Sequence, residues 1–323
     1  MKNILLITLS FLICGVLNAQ IKMSHAADKV VEAATAKAPY DSTRNYIGNK
    51  DIASYIGQEL LVNGDSYGRE NGVQYFYSQK EGTIALGGKS QFDYRTPYHL
   101  LDGKTFIVRE VVPDSRQGNY THLYDDDWWF KLENKDNPNE VIWFKYSSKY
   151  EHTFQFITMS YYNYLVNNKI GDKIICAYRV DANGKLKTRV AETDVNTGKI
   201  IDQKPEDVWT VKDVALDDKW FDLVFIVENQ DGIQSTIPTY TTYQTSSLRT
   251  YWLDEYNAMA KLYGKDMMET VRGLKVRVGM PEELVLISWG EPDKINRDST
   301  GSAQWVYKNQ YVYIKDGVVT AWN

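Results

Sequence analysis

The densest group of acidic side chains in the sequence consists of Asp125, Asp126 and Asp127, just after His122 and before two tryptophans. Carboxylate oxygens are ligands that calcium prefers, and extracellular calcium sites can function with weak affinity. A calcium-binding loop, however, spaces its oxygen ligands and contains a glycine at its sharp turn, and this segment lacks both features. We therefore predict a solvated turn that precedes a strand, and no metal site.

The other residues capable of chemistry lack the spacing that a reactive site requires. The sequence has four histidines: His25, His99, His122 and His152. No two of them form a His-x-His or His-x-x-x-His pair, so zinc ligation has no support from spacing. No Gly-x-Ser-x-Gly motif is present, and the adjacent acids Glu282 and Glu283 point about 100° apart on a predicted helix. Cys176 lies in the apolar run KIICAY and is expected to be buried. The sequence predicts no enzymatic activity and no cofactor.

Aromatic residues are abundant, with 24 Tyr, 10 Phe and 9 Trp. Trp128, Trp129 and Trp143 are the candidates for a platform that stacks against a glycan. Consecutive residues of a strand face opposite sides of a sheet, so Trp128 and Trp129 are not expected to share one ligand. We expect at least two of these three tryptophans to fill a core.

The N-terminus has the three-part pattern of a secretory signal peptide. A basic start at Lys2 is followed by an apolar run over residues 4–17 and by the small residue Ala19. Fourteen helical residues span about 21 Å, less than the roughly 30 Å hydrocarbon core of a membrane. We predict cleavage after Ala19, export to the periplasm or the medium, and no transmembrane helix in the mature chain. A lipid anchor at Cys14 is the alternative, although the small residue that usually precedes such a cysteine is absent.

Charge and cysteine content limit the partners and the sources of stability. The chain has 37 Lys and Arg against 42 Asp and Glu, a formal net charge of -5. Nucleic acid and anionic lipid are not expected as partners, because phosphate recognition depends on clustered Lys and Arg. If Cys14 leaves with the signal peptide, Cys176 has no cysteine to pair with, so apolar cores must supply the stability.

After the signal peptide at residues 1–19, residues 20–48 are rich in Ala, Lys and small polar residues and are predicted to form a flexible tether. From there on, aromatic and β-branched runs alternate with Gly, Asn and Asp clusters, which predicts strands and turns. The clearest runs are VQYFYS from Val73, TFIVREVV from Thr105, DWWFKLEN from Asp127 and EVIWFKYS from Glu140.

An approximate internal repeat relates these runs to later ones. YIGQELL from Tyr55 is echoed by KIGDKII from Lys169, FIVREV from Phe106 by WTVKDV from Trp209, and WFKLEN from Trp129 by WFDLVFIVEN from Trp220. The common order predicts two small β modules, 49–160 and 161–246, that are duplicates of one another. Each module would be a small barrel or half-open sheet, of which the SH3-like barrel is an example. Chance similarity among aromatic-rich strands is the alternative explanation.

The C-terminal region, residues 247–323, has a different pattern. Apolar residues three to four apart over residues 248–262 predict a helix of about four turns. A second helix is predicted over residues 281–289, and the strands QWVY, YVYIK and VVTAW follow it. The pair Asp316-Gly317 between the last two strands predicts a type I′ hairpin turn. The whole chain is thus predicted to be multidomain, with a mainly β N-terminal part and a C-terminal α+β domain.

Several features of this region occur together in a known family. They are Gly279 and Met280 before the second helix, WGEPDKIN from Trp289, QWVY from Gln304 and the hairpin YVYIKDGVVTAW from Tyr311. With them, residues 270–323 resemble the SmpA/OmlA (BamE-like) family of small bacterial envelope domains. The resemblance implies two helices against a three-stranded antiparallel sheet and a role in protein contacts within the envelope. Candidate contact residues are Trp305, Tyr311 and Tyr313, although core packing is the commoner role of such aromatic residues.

These patterns favour an exported envelope or secreted protein that binds another macromolecule and catalyses no reaction. An envelope protein is the expected partner. The alternative is a carbohydrate-binding or carbohydrate-active protein that recognises a surface glycan through its aromatic β modules. A hydrolase whose catalytic residues are dispersed along the sequence is a third hypothesis.

Overall fold

The computed structural model describes residues 39–64, 66–118, 121–180, 186–188, 193–204, 206–217, 222–239, 249–299 and 301–323. The predicted signal peptide, Cys14 and His25 lie outside the described residues. Within them the protein is mainly β, with four sheets and a few helices. The prediction of a mainly β protein is confirmed, and the four sheets are consistent with the predicted multidomain layout.

The first sheet is a half-barrel of six antiparallel strands. They are β1 Glu59–Val62, β2 Phe76–Tyr77, β3 Thr105–Pro113, β4 Asp127–Asn134, β5 Val141–Ser147 and β6 Phe156–Thr158. Their order across the sheet is β2-β5-β4-β3-β1-β6. The runs predicted from Thr105, Asp127 and Glu140 are confirmed as β3, β4 and β5. Of the run predicted from Val73, only the two residues of β2 form a strand. Val73 itself forms an isolated bridge to Thr96.

The last part of the predicted tether, residues 40–48, packs against this half-barrel. Ile47 is buried in the first core. The Asn45 side chain donates a hydrogen bond to the carbonyl of Phe156 (2.7 Å) and accepts one from the amide of Thr158 (2.8 Å). The tether prediction is therefore wrong for these residues. It was based on the mostly small and polar composition of residues 20–48 as a whole, which did not reflect the apolar side chains at the end of that segment.

The second sheet has five antiparallel strands in the order β12-β11-β10-β7-β13. They are β7 Lys173–Cys176, β10 Val208–Leu216, β11 Leu223–Glu228, β12 Gln234–Pro238 and β13 Thr250–Trp252. A separate two-stranded sheet pairs β8 Tyr178–Val180 with β9 Leu186–Thr188. In chain order, the strands of the second sheet, β7, β10, β11, β12 and β13, correspond to β1, β3, β4, β5 and β6 of the first. With this correspondence, the second sheet has the same strand order as the first sheet without β2.

The match extends to irregularities of the backbone. The register of β3 against β4 shifts between Val108 and Glu110, and that of β10 against β11 shifts between Val211 and Asp213. The amide of Gly57 donates to the carbonyl of Val108 at 2.7 Å. At the matching place in the second sheet, the amide of Gly171 donates to the carbonyl of Val211 at 2.9 Å. A β-bulge bends its strand, so both sheets curve at the same point.

Matched side chains also make matched contacts at each bulge. Arg109 pairs with Glu133 at 2.7 Å in the first sheet, and Lys212 pairs with Glu228 at 2.9 Å in the second. These are the positions that the sequence repeat aligns in FIVREV with WTVKDV and in WFKLEN with WFDLVFIVEN. The sequence echoes therefore coincide with structurally matched positions.

A helix follows the last strand of the first sheet, and another follows the last strand of the second sheet, without a gap. Helix α1, Ser66–Asn71, is a short element within the first sheet's connections, whereas α2, Met159–Lys169, follows β6 and α3, Leu253–Tyr263, follows β13. The helix predicted from residue 248 begins only at Leu253, because β13 pairs with β7. Helix α2 was not predicted, since only Leu165 among its side chains is fully buried and the apolar period is weak.

Neighbouring residues of a shared strand enter different cores. On β6, Phe156 belongs to the first core and Ile157 to the second. On β7, Ile174 belongs to the second core and Ile175 to the third, which lies in the C-terminal region. Because strand residues alternate between faces, each of these strands joins two successive cores.

The C-terminal region contains α4 Lys265–Arg272, α5 Glu282–Trp289 and the antiparallel strands β14 Lys294–Arg297, β15 Ala303–Tyr307, β16 Gln310–Lys315 and β17 Val318–Trp322. The predicted second helix is confirmed as α5. The predicted hairpin is confirmed too, since Asp316 and Gly317 have φ values of 52° and 76°, as a type I′ turn requires. Helix α4 and strand β14 were not predicted. All four β14 residues are exposed at the sheet edge, so β14 has no apolar alternation.

Candidate functional site

The acidic turn before β4 is held by internal contacts. One Asp125 oxygen lies 2.7 Å from Nδ1 of His122, and the other accepts a hydrogen bond from the amide of Gly118 at 2.8 Å. Those contacts, the Gly118 amide first, lower the pKa of Asp125. Asp127 pairs with Lys145 at 2.7 Å. The carboxylates thus point to different partners, and the turn predicted from the sequence is present. Among the described residues, no group of three or more His, Cys, Asp or Glu side chains is arranged to hold a metal ion.

Trp129 is part of the support for this end of the half-barrel. Its side chain is only 2% exposed, and its Nε1 donates to the buried carboxylate of Asp114 at 3.1 Å. Arg116 donates to the two oxygens of the same carboxylate at 2.8 and 2.7 Å. These bonds from Arg116 are the main reason that the pKa of Asp114 is lowered to about 2. A residue buried in this way has no free face for a glycan.

The other two predicted platform residues do not complete a stacking surface. In the register of β4 and β5, Trp128 pairs with Tyr146 and Trp129 with Lys145, so the two tryptophans face opposite sides. Trp128 is half-buried against the first core. Trp143 is half-buried on the same face as Trp129, where the Tyr77 ring covers Trp129 at 5.3 Å. The structure therefore does not bring the three rings together.

An exposed aromatic surface lies instead in the long connection between β1 and β3. We define the insertion patch as Tyr67, Phe92, Tyr94 and Arg95. The three aromatic side chains are 57%, 78% and 62% exposed, respectively. The Arg95 guanidinium lies 4.8 Å from the ring centroid of Tyr67 and 5.6 Å from that of Tyr94. Two exposed rings therefore share one cation.

Local backbone contacts hold the insertion patch in place. Arg95 donates from Nη1 to the carbonyl of Gly72 at 2.8 Å. Val73 and Thr96 exchange two backbone hydrogen bonds of 2.9 and 2.7 Å. Gly72 has φ +83°, and a Cβ there would lie 2.7 Å from the Thr96 carbonyl oxygen, so no larger residue fits. The sequence analysis missed this patch, although the aromatic residues of FDYRTPY in a segment with no predicted strand were a usable signal.

The candidate contact residues of the C-terminal sheet divide between its two faces. Trp305 is buried in the third core and offers no contact surface. Tyr311 and Tyr313 alternate with buried residues of β16 and lie on the opposite, open face, where Tyr313 is 37% exposed. Gln304 donates to the Tyr313 hydroxyl at 3.2 Å and accepts from Asn296 at 3.0 Å. A polar row thus crosses three strands of this face.

Cys176 behaves as the sequence predicted. Its side chain is buried in the second core, and burial raises the pKa of its thiol to about 12. A protonated, buried thiol is a poor nucleophile, because the thiolate is the reactive form. The role of a small buried hydrophobic residue is confirmed.

Comparisons with protein-family models, with curated proteins and with solved structures found no match for this chain. Across the described ranges, no helix has both the length and the apolar character needed to cross a membrane. Function is therefore inferred from the N-terminal sequence pattern and from the surfaces described above.

Proposed function

We propose that this chain is an exported envelope or secreted protein that binds another protein through the insertion patch and catalyses no reaction. The observation that carries this proposal is the Arg95 guanidinium, which lies close to the exposed rings of both Tyr67 and Tyr94. Tyrosine, phenylalanine and arginine are enriched at protein interfaces, and tyrosine and arginine often dominate the binding energy. Exposed aromatic residues concentrated in one place are uncommon on a surface that has no partner.

The rigidity of the patch supports a role in binding. Its backbone is fixed by the Val73–Thr96 bonds and its cation by the Gly72 carbonyl. A partner would then meet rings that are already positioned, so binding would cost little conformational entropy. A protein partner also suits the mixed charges beside the rings, where Lys89 and Asp93 have opposite signs. Clustered positive charge, which would favour nucleic acid or anionic lipid, is not what this segment has.

Three further predictions belong to the proposal. Export, with cleavage after Ala19, rests on the N-terminal pattern. A relationship of residues 270–323 to the SmpA/OmlA family rests on the residues quoted above and would give the C-terminal region a role in envelope protein contacts. Duplication of an SH3-like module is supported by the matched strand orders, bulges and ion pairs of the two sheets.

Site-specific photo-cross-linking of the mature chain tests the proposal. A benzophenone amino acid replaces Tyr94 in one chain and Tyr150 in a control chain, since Tyr150 is also exposed but lies outside the patch. We expect one discrete cross-linked envelope protein from position 94 and none from position 150. Adding Arg95→Ala to the first chain should abolish the product, because the shared cation is lost.

Equal products from positions 94 and 150, or no loss with Arg95→Ala, would contradict the proposal. A glycan array tests the alternative function, which is carbohydrate binding. Specific sugar binding that disappears with Tyr94→Ala would replace the protein partner with a carbohydrate ligand.

A further inference from the structure

A concave surface lies where the C-terminal region meets the β8 strand. The cavity has a volume of about 370 Å³ and is lined by Arg179, Leu274, Ser288, Trp289, Tyr307 and Gln310. We call it the Arg179 cleft. Its size is within the range of small-molecule sites, and its lining combines the rings of Trp289 and Tyr307 with the polar side chains of Arg179, Ser288 and Gln310.

The two aromatic walls of the Arg179 cleft are fixed by hydrogen bonds. The rings of Trp289 and Tyr307 meet edge to face, with centroids 5.4 Å apart. Trp289 donates from Nε1 to the carbonyl of Leu274 at 3.1 Å, and the Tyr307 hydroxyl donates to the carbonyl of Gly290 at 2.9 Å. The polar ends of both side chains are therefore satisfied, and their apolar faces remain available to line the cavity.

Positive charge is concentrated beside these walls. Arg179 is exposed and forms no salt bridge with any residue in the described part of the chain. Arg249 is buried behind Gly290, with Nη1 donating to the carbonyl of Ile287. Burial lowers the pKa of Arg249, and the nearby charge of Arg179 lowers it further. The Arg249 guanidinium is therefore close enough to Arg179 to be affected by its charge.

Charges of both signs act on Tyr307. Burial raises the pKa of Tyr307, the charge of Glu291 raises it further, and that of Arg249 opposes the change. Glu291 is exposed at the start of the connection after α5. A carboxylate and a guanidinium group therefore act on the pKa of Tyr307 in opposite directions.

We propose that the Arg179 cleft binds a small carboxylate that carries an aromatic or apolar group. The Arg179 guanidinium would donate two parallel hydrogen bonds to the carboxylate, a geometry that its planar fork favours. The apolar part of the ligand would pack against Trp289 and Tyr307, and Gln310 would contribute a further polar contact. A carboxylate fits better than a phosphate because Arg179 is the one arginine that lines the cavity, whereas Arg249 lies behind Gly290. This site is separate from the insertion patch and does not depend on the proposed function.

Isothermal titration of the full mature chain with N-acetyl-L-phenylalanine tests this assignment. The amide of the same compound, which lacks the negative charge, is the matched ligand control. We expect the carboxylate to bind the unmodified chain at least tenfold more tightly than the amide. Equal affinities, or no binding of the carboxylate at tens of millimolar, would overturn the proposal, and this arm requires no substitution.

Two arginine variants locate the binding. Arg179→Gln should weaken carboxylate binding at least tenfold. Arg297→Gln should leave it unchanged, because Arg297 pairs with Ala303 at the end of the sheet away from Tyr307. Unchanged affinity in Arg179→Gln would overturn the placement of the ligand. Tighter binding of inorganic phosphate than of the carboxylate probe would overturn the ligand class.

Discussion

The rings of Phe76 and Phe156 meet edge to face with centroids 5.5 Å apart, although their strands lie at opposite ends of the first sheet. Phe144 contacts both of them, at 5.1 and 4.9 Å. The sheet therefore curls until its two edges share one aromatic cluster. This curvature closes the first core, although β2 and β6 are not joined by backbone hydrogen bonds.

Phe76→Ala should destabilise the first sheet by about 3–5 kcal/mol, because it removes a fully buried ring and leaves a cavity in the shared cluster. Urea unfolding followed by far-ultraviolet circular dichroism measures the change. Phe92→Ala is the matched control, and it should alter the free energy of unfolding by less than about 0.5 kcal/mol because Phe92 is exposed. Similar losses in the two variants would contradict the packing described here.

Stability should depend on pH through Asp114. Its pKa in the folded chain is lowered to about 2 from the ordinary value of 3.8, chiefly by Arg116. A group whose folded pKa is depressed stabilises the fold above its unfolded pKa, and this contribution is lost as pH falls from about 4 through about 2. The contribution is about 2 kcal/mol, since one pKa unit corresponds to about 1.4 kcal/mol.

The measurement is the free energy of unfolding in urea at a series of pH values from 2 to 6. Asp114→Asn should be less stable than the unmodified chain at pH 6 and should lose about 2 kcal/mol less on acidification. Glu206→Gln, at an exposed position, should retain the unmodified pH dependence. An unchanged slope in Asp114→Asn would show that Asp114 does not carry the effect.

The Cys176 thiol should be inert while the chain is folded. Burial excludes reagents and raises its pKa to about 12, so the reactive thiolate is scarce near neutral pH. In a chain that begins after Ala19, Cys176 is the one cysteine, and a thiol reagent reports on it alone. We expect no reaction at pH 8 without denaturant and one reacted thiol per chain in guanidinium chloride. Rapid reaction without denaturant would contradict its burial.

The position of β13 changes where the chain can be shortened. Thr250 pairs with Cys176 and Trp252 with Ile174, so a chain ending at residue 246 loses the strand that covers one edge of β7. A chain ending at residue 263 keeps β13 and α3. Hydrogen exchange should show weaker protection of the β7 amides in the shorter chain. Equal protection in both chains would indicate that β13 adds nothing to the second sheet.

Local sequence patterns predicted the elements whose structure depends on nearby residues. The alternation in DWWFKLEN and EVIWFKYS predicted β4 and β5, and the Asp316-Gly317 pair predicted the hairpin because both residues accept positive φ. The same reasoning failed for the polar edge strand β14 and for α2. Neither segment has a clear apolar period, so neither could be predicted from its local pattern. Their structures depend instead on tertiary contacts.

Candidate sites were harder to predict, because each combines residues that are distant in sequence or differ only in burial. Trp129 and Tyr94 are both aromatic residues next to charged ones, yet Trp129 is buried against Asp114 and Tyr94 is exposed beside Arg95. The Arg179 cleft joins residues from β8, α5, β15 and β16. Its composition could not be read from any one segment.

The sequence by itself determined the strand-rich character, the repeated pattern, the I′ hairpin and the buried role of Cys176, because each follows from local periodicity, turn chemistry or apolar surroundings. Only the tertiary structure decided which face of each strand enters which core. That choice depends on which distant segments meet: β6 and β7 each serve two cores, and β13 pairs with β7 although a helix was expected at its position. Burial on one face and exposure on the other then separated Trp129 and Trp305, which support the fold, from Tyr67 and Tyr94, which remain free to contact a partner.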